Sequence, residues 1–127
     1  MGLKTSPAGV PWNYGIENLM QEETRIYSDR LTDEWMRDGQ RTSVLRAHGL
    51  SDDQLRGAMK IAATGIWGFG CDQVQGNSQR QGWTIRQVAK MNQRGYEWAR
   101  RYPFSDWKAL VDDVIAPMFD EVKSRRE

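Results

Sequence analysis

"GIWGFGCDQVQGNSQRQGW", residues 65–83, is the stretch on which the fold of this 127-residue chain turns. It holds five glycines, two tryptophans, the only cysteine and a polar middle. Glycine is about 1 kcal/mol less favourable than alanine inside a helix. Gly65 and Gly68 are therefore the expected end of the helix that enters the stretch, and 68–82 reads as a long Gly-rich loop. A connection of ~14 residues is long for a compact domain, and such loops are often functional or mobile. Trp67 and Phe69 are its expected partner-binding anchors, because rigid aromatics beside small polar residues suit adaptable recognition. The plainer alternative is a connector whose two rings fold onto the core. A phosphate loop is disfavoured: the stretch holds no lysine followed by Ser or Thr. "GIWGFG" also reverses the dinucleotide-binding spacing and follows a helix.

Upstream, the helix has a strong start. Ser51 and Gln54 make a capping box, and Leu50 and Leu55 are spaced as its hydrophobic staple. Asp52 and Asp53 suit the positive end of the helix dipole. Leu55, Met59, Ala62 and Ile66 give it one apolar face. Before it, Ile16, Leu19, Met20, Ile26, Tyr27, Leu31 and Trp35 recur at helical spacing, which predicts a helix over 16–37. Gly39 is its expected stop. Val44–Leu45 adds one or two turns. Residues 1–15 read as an arm, broken by Pro7, Gly9, Pro11 and Gly15. Trp12 and Tyr14 on that arm are further partner-binding candidates, docking on the body or on a neighbour.

Downstream, the capping device repeats. Thr84 and Gln87 form the box, Trp83 and Val88 the staple. The helix that follows must end before Pro103. It reads equally as one helix weakened at Gly95 or as a helix-turn-helix. Ser105 is the expected cap of a last helix. Its stripe is Trp107, Leu110, Val111, Val114, Ile115, Met118 and Val122, and Pro117 should kink it near 113–117. The chain is thus expected to be all-α: four or five helices in a single helical domain, 16–127, behind an extended N-terminal arm. No period-two alternation long enough for a strand and no fixed-period repeat is present.

Composition narrows the function. The net charge is +1, so no global field favours nucleic acid or membrane. No apolar run approaches the ~20 residues of a membrane span. The opening "MGLKTSPAGVPWNYG" has no apolar leader, and one cysteine forms no internal disulfide, so an intracellular, cytoplasmic setting is expected. His48 and Cys71 are the sole residues of their types. They could pair as base and nucleophile, but no local motif supports this. Asp33–Glu34 and Asp112–Asp113 are neighbours in sequence and point apart on a helix. No metal, cofactor or catalytic residue is assigned.

Charge is uneven. Between residues 73 and 101 lie Arg80, Arg86, Lys90, Arg94, Arg100 and Arg101, against a single acid, Glu97. Residues 1–56 carry seven basic and nine acidic residues. Trp98, with Trp83 and Tyr96, interleaves the basic run, as phosphate contact with base stacking requires. The bland alternative is a solvated face paired with Asp112, Asp113, Asp120 and Glu121. Six tryptophans and an excess of arginine over lysine match interface hot spots. The leading expectation is a non-enzymatic interaction protein, an adaptor or assembly subunit that binds a protein partner or itself. Nucleic-acid binding through 80–101 is the alternative, and a small enzyme subunit using His48 or Cys71 the second.

Overall fold

The computed structural model describes residues 4–120. They are helical throughout apart from turns and one isolated bridge, Thr5 with Pro11. Helix α1 runs Ile16–Met36, α2 Gly39–Ala47, α3 Asp52–Gln75, α4 Ile85–Arg100 and α5 Phe104–Leu110. Helices α1, α3 and α4 pack mutually and build the centre of the molecule. Leu19, Tyr27 and Leu31 of α1, Leu55, Met59 and Ile66 of α3, and Val88, Ala89 and Met91 of α4 fill it. Ile16 is left exposed, with Met20 and Ile26 at the core margin.

Both capping boxes form, on Ser51–Gln54 and on Thr84–Gln87. The first turns of α3 and α4 are thereby fixed by local hydrogen bonds before any packing. Two other boundaries differ from expectation. Gly39 starts α2 instead of stopping α1, because Asp38 accepts a hydrogen bond from the Gln40 amide and caps the new helix. Ser105 does not cap α5; Pro103 holds the N-cap position in extended backbone, with no side-chain cap. Proline preset near φ −65° needs no donor there.

The largest correction concerns α3. It does not end at Gly65 or Gly68 but continues through Gly70 to Gln75, and the connection to α4 shrinks to residues 76–84. Tertiary packing overrides propensity here. Ala62, Ala63, Ile66, Trp67, Gly70 and Cys71 are all buried, so unwinding this segment would expose a continuous apolar face. Gly70 lies against the backbone of Gly95 on α4. Gly95 is therefore a contact point, and α4 is one continuous helix with no turn at 92–95.

After α5 the chain passes through a π-helical turn, Val111–Ile115, and is helical again to residue 120. Pro117 clashes in a regular helix with the carbonyl four residues before it. That carbonyl belongs to Asp113, inside the widened turn. The extra residue rotates the buried face. Trp107, Val111, Ile115 and Ala116 are buried, whereas Val114 and Met118 of the expected stripe are exposed. Val122, the last member of that stripe, lies outside the described residues.

The arm is compact and docked. Ser6 and Val10 bond to each other through backbone, Gly9 turns the chain at φ +96°, and Trp12–Tyr14 form a 3-10 turn. Val10 enters the main core.

Candidate nucleic-acid interface

Helix α4 sorts its residues sharply by face. Val88, Ala89, Met91, Asn92, Gly95 and Ala99 are buried. At about 100° per residue, Arg86, Lys90, Gln93, Arg94, Glu97 and Arg101 fall within an outward arc of about 100°. Arg86, Lys90, Arg94 and Arg101 are exposed, and none is within ion-pairing distance of a described carboxylate. Successive cations from Arg86 to Arg94 sit one turn apart, about 6 Å along the axis.

Tryptophans flank this ridge. The Arg86 guanidinium lies 4.6 Å from the centre of the half-buried Trp12 ring. Trp12, Arg86, Lys90 and Gln93 line one cleft, with Thr5 and Pro7 of the arm at its edge. Across the ridge, Trp83, Gln87, Lys90 and Arg94 line a second. Lys90 belongs to both. The tryptophan of the capping staple and the arm tryptophan thus come to the same helix face, which the spacing along the chain did not reveal.

The other expected contact residues scatter. Arg80 is in the 76–84 connection, near the Met20 sulfur. Arg100 lies at the edge of the ridge, but its guanidinium is taken by Glu34, which holds its pKa above the usual value. Trp98 is half-buried and packs on Tyr102. Among the partner-binding candidates, Trp67 is 5% exposed and donates its indole N–H to the Asn92 carbonyl at 3.1 Å, so it is a core residue. Phe69 and Tyr14 are each 46% exposed. Phe69 shares the outer side of α3 with Ile61 and with Gly57, Gly65 and Gly68, where an added Cβ would meet nothing within 4 Å.

A buried polar cluster fixes the arm and α4 relative to α1. Glu23 is fully buried and accepts from the Ser6 hydroxyl and, at 3.0 Å, from the Asn92 amide. The Ser6 oxygen in turn accepts from the Val10 amide. Burying a carboxylate is costly unless hydrogen bonds replace water, and here two elements must be in place to supply them. The helical spacing of α1 puts Glu23 on the inward face, four residues from Leu19 and four from Tyr27, but the sequence does not show which groups satisfy its carboxylate there.

Arg41 is a second buried charge. Its guanidinium lies 4.8 Å from the Trp35 ring centre and 5.0 Å from that of Trp107, with Phe104 beside it. Burial lowers its pKa, and the nearby Asp38 carboxylate partly offsets this. Asp38 lies 3.3 Å from Nε but off the hydrogen-bonding direction, and Nε and Nη1 have no hydrogen-bond partner.

His48 and Cys71 have separate surroundings. His48 Nε2 lies 2.6 Å from Asp112, which also receives the Lys108 ammonium. These bonds hold the Asp112 carboxyl below its ordinary range, Lys108 contributing most. Cys71 is buried at the α3–α4 contact, near Asn92 and Gly95, and burial pushes its thiol up to about 12. A thiol so raised is not an activated nucleophile. Among the described residues no group of three metal-ligating side chains occurs, and no helix is long and apolar enough to cross a membrane. The chain matches none of the family models, curated proteins or solved structures with which it was compared.

Proposed function

We propose that the protein is a non-enzymatic binding protein whose working surface is the outward face of α4, and that this surface takes nucleic acid. The carrying observation is where its cations are left without carboxylates. Arg25, Arg46, Arg56, Lys60 and Arg100 all pair with acids of the fold. Arg86, Lys90, Arg94 and Arg101 do not; Lys4, Arg30, Arg37 and Arg80 also lack an ion pair among the described residues, but the α4 cations follow one another along one helix face. Of the acids that could have neutralised them, Asp112 is committed to His48 and Lys108. Asp113 and Asp120 form no ion pair among the described residues, and Glu121 lies outside those residues. Glu97 shares the outward arc, between Arg94 and Arg101, but forms no ion pair with either; the row keeps a net positive charge, which is what a phosphate backbone binds.

The test is a titration of a short labelled oligonucleotide across a range of salt. Four phosphate contacts on a single strand give a log–log salt slope of about −3. A Lys90→Glu, Arg94→Glu double variant, at two exposed positions, should lose ten-fold or more of the affinity. Unchanged affinity in that variant, or no binding at low salt, would remove the reading.

A protein partner or a second copy of the chain is the competing reading, as for an adaptor or assembly subunit. The outer side of α3 favours it: Ile61 and Phe69 are exposed beside three glycines with open space above them. Sedimentation across a concentration series, with Phe69→Glu as control, separates it from the first. A monomer at every concentration that captures no partner counts against it.

A further inference from the structure

The two clefts flanking the α4 ridge bear on which nucleic acid fits. Each is an open cleft with room for a planar base, about 430 Å³ on the Trp12 side and about 400 Å³ on the Trp83 side. Each presents a flat π-surface beside a cation. On the Trp12 side that surface is the Arg86 guanidinium, held over the indole at 4.6 Å. A guanidinium backed by an aromatic ring is a stacking platform for a nucleobase, as an aromatic face is. On the other side the half-buried Trp83 lies beside Lys90 and Arg94, with Met91 on the floor.

Resting on the α4 reading, we infer that the ligand is a single strand, its phosphates along Arg86, Lys90 and Arg94 and its unstacked bases entering the two clefts. Paired bases in a duplex keep their faces covered by their neighbours and reach neither platform. A duplex can offer this surface only its backbone. Lys90, shared by both clefts, is then the phosphate contact between two bases. Gln93 in one cleft supplies an amide group at a base edge; Gln87 in the other has only its amide N–H to offer, since its oxygen closes the capping box with Thr84.

The experiment measures binding of oligo-dT, oligo-U, a duplex of equal charge, and polyglutamate, with tryptophan fluorescence recorded throughout. The inference expects the single strands to bind at least ten-fold tighter than the duplex and to quench tryptophan emission. Trp83→Leu keeps the hydrophobic staple and should cost about ten-fold for single strands, the range of one lost stacking contact, with duplex binding changed by less than two-fold. Arg86→Lys keeps the charge and should act the same way. Equal affinity for single strand and duplex, with Trp83→Leu silent, overturns the inference and leaves the α4 surface as a backbone-binding face. Polyglutamate competing as well as oligo-dT also overturns it, in favour of an acidic peptide. Absence of binding to every probe overturns both the inference and the reading beneath it.

Discussion

Gly70 and Gly95 bring the backbones of α3 and α4 into direct contact. A Cβ built on Gly95 would lie 2.6 Å from the Cys71 sulfur and 2.8 Å from its amide nitrogen, and one on Gly70 would collide with the Gly95 carbonyl. This approach sets the distance between the two helices. It also places the backbone carbonyl of Asn92 where Trp67 can donate to it.

The glycines of α3 and α4 should therefore divide into two classes. Gly70→Ala and Gly95→Ala are expected to destabilise by about 1–3 kcal/mol through overpacking. Gly57→Ala, Gly65→Ala and Gly68→Ala face open space and should each stabilise by about 0.5–1 kcal/mol. Denaturant melts decide it, and a stabilising Gly95→Ala would contradict the close contact.

Removing the carboxylate of Glu23 should strand two buried donors. Glu23→Ala is expected to lose more than about 2 kcal/mol, since each unsatisfied buried group costs about 1–3 kcal/mol. Glu23→Gln retains an acceptor for Asn92 and should lose less. Ser6→Ala should act on the arm, seen as faster hydrogen exchange at the Val10 amide, which bonds to the Ser6 hydroxyl. Unaltered exchange would mean that this hydroxyl does not secure the arm.

Arg41 should resist conservative replacement. A lysine keeps the charge but loses the planar group that lies among Trp35, Phe104 and Trp107. Arg and Lys are not equivalent at stacked sites. Arg41→Lys is expected to destabilise by about 1–2 kcal/mol and to shift tryptophan emission. Wild-type stability and emission would show that stacking contributes nothing here.

Asp112 gives the fold a dependence on acid. Its carboxyl titrates below the ordinary value of 3.8 because Lys108, then His48, favour the charged form. A depressed folded pKa contributes stability that is present above the unfolded value and disappears as pH falls through the folded one. The effect is small and screened by salt, since the groups are partly solvated. Asp112→Asn should be less stable than the wild type at neutral pH, and the two should converge as pH falls below 3.8. A gap that persists undiminished into that acid range would exclude this origin.

Much of the architecture was written locally. Ser51–Gln54 and Thr84–Gln87 start α3 and α4 through side chains three residues apart, so the sequence by itself determined those beginnings, the helical class and the basic bias of 80–101. Pro117 likewise announced an irregularity, though not its form: the π turn rotates Val114 and Met118 outward, and only packing selects that rotation. The end of α3 was decided by tertiary structure. Glycine's preference for turns is worth about 1 kcal/mol, and burial of Ile66, Trp67 and Cys71 against α1 and α4 outweighs it. The same holds for the candidate interface. Arg86, Lys90, Arg94 and Arg101 share a face by helical periodicity, which the chain alone encodes. That Trp12, far away in sequence, lies beneath Arg86 depends on the Ser6–Glu23–Asn92 hydrogen bonds that dock the arm, and such long-range contacts leave no local signature.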